Sequence, residues 1–295
     1  MFVILFTKKY KYFMRFQPII KWIGSKRHQS EEIVKYFPDY INTYYEPFCG
    51  GCSVVYQLLS SQNIYHTYIN RVVCSDINGD LIDLWNTIKN DPKCLLNEYT
   101  RMWCEMNEYD DKQDKRKYFE GLREEFNQTR SPYLFFFLTR TCTNGLPRYN
   151  RYGNFNQTLH LTRDGMIPTR LKKTLFEWSD VMKRNNVEFK RCDYNEIFDD
   201  VDDGDFLYLD PPYELTRSTG KYFGKIDYID LFDRMRIMNE NGIRYALSFD
   251  NEHDEIVVPG DCYENNYIIK STNGGFRTTT QCMSKSNLFE GLYMN

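Results

Sequence analysis

The stretch Phe206–Tyr213, FLYLDPPY, is a short apolar run closed by a proline turn. Runs of this length and composition are typical of buried β-strands. The predicted strand Phe206–Asp210 is joined by six others: Thr43–Cys49, Val72–Asp76, Val187–Cys192, Arg244–Phe249, Asn266–Lys270 and Leu288–Met294. Helical patterns separate most of them, which predicts an α/β protein with a mostly parallel sheet. The last two runs have no helix between them, so we expect an antiparallel pair at one edge.

The alternation of strands and helices stops between residues 91 and 169, where three helical patterns precede a polar, loop-rich stretch. We therefore expect the 295 residues to form one domain split between residues 1–90 and 170–295, with residues 91–169 as a mainly helical insertion. The predicted helices are Ser30–Phe37, Ser53–Ser60, Leu81–Lys89, Lys93–Tyr109, Lys112–Asn127, Ser131–Thr141, Arg170–Arg184 and Tyr228–Asn241.

The formal net charge of −3 argues at first against a protein that binds polyanions. The basic residues are unevenly distributed, however. Residues 1–30 contain seven basic residues and no acidic one, and residues 130–191 contain twelve basic and four acidic residues. This distribution favours a protein that meets nucleic acid along one face.

Nine scattered cysteines include a single CxxC pair, Cys49 and Cys52, without a second pair or a His pair at zinc-finger spacing. We expect reduced thiols in a reducing compartment and no metal, with a zinc or redox site as the alternative. The apolar run at the N-terminus, Met1–Phe6, is far shorter than the roughly 18 residues of a membrane span. We expect neither membrane association nor a signal peptide, and hence a cytoplasmic protein.

The motif Asp210-Pro211-Pro212-Tyr213 stands at the carboxyl end of a predicted strand, where ligands bind in open α/β sheets. Prolines fix the backbone there and carry no N–H. Asp210 and the Pro211 carbonyl can each accept one hydrogen of an amino group, while Tyr213 stacks on its ring. The motif therefore suits a flat substrate with an amino group. The alternative is a strand that ends in a proline turn with Asp as a cap.

Two further motifs favour a nucleotide-like cofactor. Glu46-Pro47-Phe48-Cys49-Gly50-Gly51 places glycines between a strand and a helix, where a ligand can approach the backbone closely. The next strand ends in Asp76, at the usual distance for an acid that binds ribose hydroxyls. Lys21-Trp22-Ile23-Gly24-Ser25-Lys26 offers an indole that could stack on adenine. Each motif also has a purely structural interpretation, as a tight turn or an amphipathic lead-in.

The stretch Thr143–Asn156, TNGLPRYNRYGNFN, combines an Asn-Gly turn with Arg, Asn and aromatic residues in alternation. These residue types supply contacts to base edges and phosphates. A hairpin with ordinary polar side chains is the alternative.

Together and in this order, KWIGSK, EPFCGG, SDIN, NGLPRYNRYGNFN and DPPY resemble the Dam-type DNA adenine methyltransferases, from about Pro18 to the C-terminus. The resemblance implies a Rossmann-like methyltransferase sheet, mostly parallel with an antiparallel edge strand, and a target-recognition domain at residues 91–169. It implies methyl transfer from S-adenosyl-L-methionine to N6 of an adenine flipped out of double-stranded DNA. A cognate restriction endonuclease that shares the site is a compatible partner, not required for activity.

The resemblance also implies roles by position. The residues implied to be catalytic are Asp210, Pro211, Pro212 and Tyr213. The residues implied to bind the cofactor are Trp22, Lys26, Phe48, Gly50, Gly51, Asp76, Asp193 and Asp210. The residues implied to contact DNA are Lys21, Asn144, Gly145, Leu146, Arg148, Asn150 and Asn156.

Two departures from the family pattern affect these expectations. Cys52 stands where the family often has a third Gly, and Thr143 stands where it often has a Tyr that wedges into DNA. Three alternatives stay open: a methyltransferase acting on RNA or another nucleobase amine, an inactive DNA-binding relative, and a dinucleotide-dependent oxidoreductase. The last predicts a GxGxxG after the first strand, which Gly50-Gly51-Cys52 does not provide.

Overall fold

The computed structural model describes residues 16–160, 162–212, 226–249, 256–270 and 289–295. The strands of the described chain are β1 (Tyr40–Glu46), β2 (Tyr68–Asp76), β3 (Glu188–Arg191), β4 (Phe206–Leu209), β5 (Arg244–Phe249), β6 (Asn265–Lys270) and β7 (Phe289–Met294). They form one seven-stranded sheet in the order β3-β2-β1-β4-β5-β7-β6. The predicted α/β class is therefore confirmed.

The helices of the described chain are α1 (Ser30–Ile33), α2 (Ser53–Tyr65), α3 (Gly79–Asn90), α4 (Pro92–Asn107), α5 (Lys112–Thr129), α6 (Pro132–Thr141), α7 (Pro168–Arg184), α8 (Tyr194–Phe198) and α9 (Tyr228–Glu240). Several begin at a capping side chain, which satisfies N–H groups that the first turn leaves unpaired. Asn78 caps α3 by accepting from the N–H of Leu81, and Asp227 caps α9 by accepting from Ile229 and Asp230.

Five neighbouring strands, β3, β2, β1, β4 and β5, are parallel. At the other side of β5, β7 runs antiparallel to both β5 and β6. The predicted antiparallel pair, β6 and β7, is thus present at one side of the sheet. Strand β6 forms the edge, and β7, which runs opposite to the parallel strands, is second from the edge. This arrangement places one residue of β7, Glu290, near the carboxyl ends of the parallel strands.

The first strand differs from its prediction at both ends. It begins at Tyr40 and ends at Glu46, whereas Thr43–Cys49 was expected. Pro47 has no N–H to donate to a neighbouring strand, so the ladder stops there and the glycine turn begins earlier than expected.

The central strands are buried on both faces, so that their side chains alternate between two apolar layers. Tyr44 and Tyr208 pack in the layer that contains α2, α3 and α7. Tyr45 and Leu207, their neighbours in the chain, pack in the layer formed with α8 and α9. This explains why FLYL is apolar throughout and shows no alternation.

Helices α4, α5 and α6 occupy most of the segment in which the strand pattern stops. Phe135, Phe136 and Phe137 of α6 are fully buried, in the same apolar layer as Trp85 of α3 and Trp178 of α7. The helical character of this segment is as expected. The division of the chain into residues 1–90, 91–169 and 170–295 stays a prediction.

Candidate active site

A cleft opens where β1, β2 and β4 end, at the carboxyl edge of the sheet. It encloses about 1040 Å³, part of it open to solvent. Residues 22–26, the segment 46–54, residues 76–78, residues 193–194 and residues 210–212 all contribute to its lining. The structure therefore brings together the two cofactor-like motifs and the start of DPPY, which are distant in the chain.

The glycine turn after β1 is shaped by its contact with Trp22. Gly50 has a φ of +45°, and a Cβ there would lie 2.9 Å from Trp22 Cδ1. A Cβ at Gly51 would lie 3.1 Å from the Cβ of Trp22. The absence of side chains at both positions thus allows Trp22 to lie on the turn. Cys52 also has a left-handed backbone, with a φ of +51°, so the turn keeps a glycine-like conformation where the family often has Gly.

Asp76 ends β2 and holds the same turn. One carboxylate oxygen accepts a hydrogen bond from the N–H of Gly50 at 3.2 Å, and the other accepts from the N–H of Asn78 at 2.9 Å. Burial raises the pKa of Asp76 to about 6, although both N–H groups oppose the rise. The carboxylate therefore has a structural role and also lines the cleft.

Asp210 follows β4 and forms a buried ion pair. Its Oδ1 lies 2.7 Å from Nζ of Lys26, and the two side chains are only 17% and 5% exposed. The same ammonium lies 2.8 Å from Oε1 of Glu290. Gln29 donates a hydrogen bond to the other oxygen of Glu290 at 2.6 Å. One buried ammonium thus bridges the predicted catalytic carboxylate and a second carboxylate to which the sequence assigned no role.

These contacts set the charge states of the cluster. Burial raises the pKa of Asp210 to about 6, while Lys26 opposes the rise and Glu290 adds to it. Burial alone would lower the pKa of Lys26, but Asp210 and Glu290 hold it above its ordinary value. At neutral pH, Lys26 is therefore an ammonium and Asp210 is mostly ionised.

The two prolines continue the chain along the cleft. Pro211 and Pro212 both line it, and the Pro212 carbonyl accepts a hydrogen bond from the Tyr228 hydroxyl at 2.8 Å. This bond attaches the turn to the start of α9. Tyr213, the predicted stacking residue, lies outside the described residues.

Glu46 is a cleft residue to which the sequence assigned no role. It is the last residue of β1, and its Oε2 accepts a hydrogen bond from the Tyr44 hydroxyl at 2.7 Å. Burial raises the pKa of Glu46 to about 8, with the Tyr44 hydrogen bond opposing the rise and Asp210 adding to it. At neutral pH this side chain is thus mostly a neutral acid. Its position directly before the glycine turn was the available signal.

Phe48 and Asp193 lie on the side of the cleft formed with α8. Phe48 packs on Tyr194, with ring centroids 5.2 Å apart, and both line the cleft. Asp193 caps α8, since its carboxylate accepts from the N–H of Asn195 at 3.0 Å and its own N–H donates to Glu196 at 3.0 Å. Asp193 therefore has a structural use besides the predicted one.

A second cavity, of about 940 Å³, lies beside Lys21 and is basic. Its charged and His lining residues are Lys21, Arg27, Arg140, His160 and Arg163. Burial lowers the pKa of Lys21, and Arg163 and Arg140 lower it further. Asn144 and Gly145 also line this cavity, and a Cβ at Gly145 would lie 2.8 Å from Cδ of Lys21. Three of the residues predicted to contact DNA are thus grouped around one positively charged site.

The remaining predicted DNA contacts lie on or near a small hairpin at residues 148–156. Arg148 and Asn156 are exposed, and the Arg148 carbonyl accepts from the N–H of Asn156 at 2.9 Å. Asn150 closes the turn, because its side-chain oxygen accepts from the N–H groups of Tyr152 and Asn154. The structure therefore gives Asn150 a role within the hairpin, beside its predicted role toward DNA.

Side chains from α3 and α5 hold this hairpin. The Tyr149 hydroxyl donates to Asp80 at 2.9 Å, and Arg130 forms an ion pair with the same carboxylate at 3.2 Å. The amide of Asn127 bonds both the N–H and the carbonyl of Phe155, at 2.8 and 3.0 Å. The position of the hairpin is thus determined by packed helices.

Thr143 and Leu146 flank the Asn-Gly turn. Thr143 forms two hydrogen bonds with Thr158. The N–H and the hydroxyl of Thr143 donate to the Thr158 carbonyl, at 2.8 and 3.1 Å. Leu146 is half-buried, and its carbonyl accepts from the Gln157 amide at 3.3 Å. Where the family often has an aromatic wedge, this chain has the small side chain of Thr143, which donates a hydrogen bond to the Thr158 carbonyl.

Comparison with known proteins identifies the family. The model described as the D12 class N6 adenine-specific DNA methyltransferases matches residues 22–258, from Trp22 on the glycine turn to beyond Asp210. The chain belongs to this family. The resemblance inferred from the motifs is confirmed, and the protein is an adenine-specific DNA methyltransferase.

Named relatives cover most of the methyltransferase. It is 28% identical to the type II methyltransferase M.MjaIII of Methanocaldococcus jannaschii, over 96% of this chain and 100% of that protein. It is 28% identical to a DNA adenine methylase of Haemophilus influenzae, over 80% of each. The solved structure of the rRNA methyltransferase aviRa from Streptomyces viridochromogenes aligns with 91% of this chain and 82% of the aviRa chain. The sequence identity is 10% and the TM-score is 0.38, which is too low to support a conclusion about this protein.

The described residues offer neither a membrane-spanning helix nor a cluster of metal ligands. None of their helices is both long and apolar enough to cross a membrane. No group of three or more His, Cys, Asp or Glu side chains in that part of the chain is arranged to hold a metal ion. The cysteines within it, including Cys49 and Cys52, are free thiols.

Proposed function

We propose that the enzyme transfers the methyl group of S-adenosylmethionine to N6 of an adenine that is flipped out of a specific site in duplex DNA. One observation carries this proposal. Asp210, the candidate acceptor for an adenine amino group, lines the same cleft as the glycine turn, Trp22 and Asp76. A cofactor and a nucleobase can therefore be held side by side at the carboxyl edge of the sheet.

The residues of the cleft fit this cofactor. Trp22 and Phe48 provide aromatic faces for a purine, and Asp76 can accept hydrogen bonds from ribose hydroxyls. Gly50 leaves the backbone open to close approach. When bound, S-adenosylmethionine supplies a methyl group on a positively charged sulfur.

We assign Lys26 to the part of the cleft that receives the amino-acid end of the cofactor. Gly51 and Asp193 are assigned to the walls of the cleft. The ammonium of Lys26 is already shared between Asp210 and Glu290. This sharing fixes the side chain in the cleft before any ligand arrives, so that little conformational entropy remains to be lost on binding.

Asp210 and the Pro211 carbonyl act on the adenine amino group. The lone pair of N6 is delocalised into the ring, and hydrogen bonds from its two hydrogens to these acceptors favour a more tetrahedral nitrogen. N6 then forms the bond to the methyl carbon, while the electron pair of the broken carbon–sulfur bond stays on sulfur. The acceptors stabilise the positive charge that develops on N6, which subsequently loses one hydrogen as a proton. Asp210, with a pKa of about 6, can take that proton and return it to solvent.

The target adenine must leave the duplex to reach the cleft, because its amino group is otherwise paired inside the helix. We propose that the basic cavity around Lys21 and the exposed Arg148 meet the DNA. Their positive charge and their position on packed elements support this assignment. Asn144, Gly145, Leu146, Asn150 and Asn156 are the remaining proposed contacts.

Relatives named type II methyltransferases and relatives named DNA adenine methylases are both found. We propose that an endonuclease reading the same sequence is a compatible partner within the cell. The residues proposed for methyl transfer all belong to this chain, so we propose that methyl transfer does not require it.

The test uses purified protein, S-adenosylmethionine and plasmid DNA that lacks adenine methylation. Modified adenines are mapped by single-molecule sequencing. We expect N6-methyladenine within one short recurring sequence, and we expect Asp210→Ala to abolish it at saturating cofactor and DNA. Methylation restricted to RNA, or cofactor and DNA binding without transfer, would replace the proposal with one of the alternatives.

A further inference from the structure

Glu290 takes no direct part in the methyl transfer proposed above, yet it contacts Lys26, which lines the cleft. It lies on β7, the antiparallel strand, and its side chain is 9% exposed. Its Oε1 is 2.8 Å from the Lys26 ammonium, and its Oε2 accepts from Gln29 at 2.6 Å. The two oxygens of this carboxylate are therefore bound by separate donors in an almost buried position.

The arrangement is costly unless it serves the site. One buried carboxylate is enough to neutralise the charge of one ammonium. A second carboxylate beside them is repelled by the first, and this repulsion is strong in a region of low dielectric constant. Here Lys26 lies between Asp210 at 2.7 Å and Glu290 at 2.8 Å, almost equidistant from both. The ammonium is thus shared between two carboxylates.

We infer that Glu290 is a positioning residue for methyl transfer, which holds the Lys26 ammonium between two carboxylates so that Asp210 keeps its negative charge available to the adenine amino group. If Lys26 were paired with Asp210 alone, that ion pair would weaken Asp210 as an acceptor. The inference rests on the role proposed for Asp210.

Several charged or titratable groups from different elements lie around Asp210. Lys26 comes from the loop before α1, Glu290 from β7, Glu46 from β1 and Tyr208 from β4. Among them, the negative charge of Glu290 raises the pKa of Asp210 by Coulomb repulsion. Removing that charge should therefore lower the pKa of Asp210.

The test is Glu290→Gln, which keeps the size of the side chain and removes its charge. The single-turnover methylation rate is measured against pH at saturating S-adenosylmethionine and DNA. We expect the rate on the plateau to fall by about 10-fold, while the acid limb moves to lower pH by up to about one unit. Glu290→Asp should recover part of the plateau, and Glu177→Gln on the exposed surface of α7 should change neither value.

A role in folding alone predicts a different pattern. Glu290→Gln would then lower the amount of folded protein, but the acid limb of the surviving enzyme would stay where it is, and this result would overturn the inference. Gln29→Leu provides a second variant, since it removes the hydrogen bond that Gln29 donates to Glu290 and keeps the charge of Glu290. We expect a lower plateau and an unmoved acid limb, and an unchanged plateau would also count against a positioning role. Failure of the proposed function is separate, because it appears as an active Asp210→Ala or an inactive wild type.

Discussion

At the scale of single residues, the cleft is controlled by the balance of burial and pairing around Asp210. Burial disfavours the carboxylate, and the Lys26 ammonium 2.7 Å away favours it. The result is a pKa of about 6, high for an aspartate but still below neutrality. Asp210 is therefore ionised at neutral pH and readily protonated when the medium becomes acidic.

This balance predicts the pH dependence of the wild-type rate. A protonated Asp210 cannot accept the second hydrogen bond of the adenine amino group as a carboxylate does, so activity should fall as the pH drops through about 6. Lys26→Met removes the cation that lowers the pKa of Asp210, and we expect its acid limb to move upward. The measurement is the single-turnover rate at saturating cofactor between pH 5 and pH 8.

Lys35→Met is the matched control, because Lys35 is an exposed lysine paired with Glu32 on the surface. Its profile should coincide with that of the wild type. An acid limb that Lys26→Met leaves unmoved, or moves downward, would contradict the assignment of this limb to Asp210.

The close contact between Gly50 and Trp22 gives a second prediction. Gly50→Ala places a methyl group 2.9 Å from Trp22 and imposes a φ of +45° on a residue with a Cβ. We expect a loss of about 2 kcal/mol in the free energy of unfolding, together with weaker cofactor binding as Trp22 is displaced. Urea denaturation and cofactor titration measure the two effects.

Gly121→Ala is the matched control for the same chemical change. Gly121 lies within α5, and a Cβ there would meet nothing within 4 Å. We expect stabilisation by about 1 kcal/mol and unchanged cofactor binding. Equal effects of the two substitutions would show that the Trp22 contact is unimportant.

Which residues could be predicted depends on the range of their interactions. Asp210, Gly50 and Asp76 stand in short motifs at strand ends, so their local sequence indicated a cleft. Glu290 contacts Lys26 and Gln29, the latter 261 positions earlier in the chain, and no local pattern links these residues. Its only signal was an acidic residue inside a predicted buried strand, which is rare unless the charge is paired.

At the scale of elements, the hairpin at residues 148–156 is held by the Asp80 and Asn127 side chains of α3 and α5. This support presents Arg148 on a fixed surface. We propose that Arg148 makes a bidentate contact to a base, so we expect Arg148→Ala to raise the transition-state free energy of methylation of the cognate sequence by roughly 1–3 kcal/mol and to relax the preference at one base pair. Competition between cognate and single-mismatch oligonucleotides measures both.

Arg116→Ala is the control, since Arg116 is exposed on α5 and pairs with Glu120. It should leave the sequence preference unchanged, and cofactor affinity should be unaffected in both variants. A uniform loss on all sequences after Arg148→Ala would instead identify Arg148 as a phosphate contact.

Most elements follow from periodicity, and the exceptions have physical causes. The five residues of α8 are too few to show a helical period, although the capping pair Asp193 and Glu196 marks its start. The end of β1 was misplaced because the apolar run continues through Phe48, while Pro47 ends the hydrogen-bonded ladder. The place of β7 between β5 and β6 depends on tertiary pairing, which hydrophobic pattern alone does not determine.

At the scale of the whole molecule, the overall charge of −3 conceals a basic region suited to DNA. Because such contacts release counterions from the duplex, DNA affinity should fall steeply with salt, by about 100-fold or more between roughly 50 and 200 mM. Cofactor affinity should change little over this range, since binding a small cofactor releases no counterions from a polyanion. Fluorescence anisotropy with labelled duplex and equilibrium binding of S-adenosylmethionine test the contrast, and a parallel fall of both would contradict it.

The central claim is that this cleft methylates adenine N6 in duplex DNA through Asp210. Its most direct test is incubation of unmethylated plasmid with purified protein and S-adenosylmethionine, followed by single-molecule mapping of modified bases. We expect N6-methyladenine at one recurring sequence with the wild type and none with Asp210→Ala. The absence of modified adenine with folded, cofactor-binding wild type, or undiminished methylation by Asp210→Ala, would contradict it.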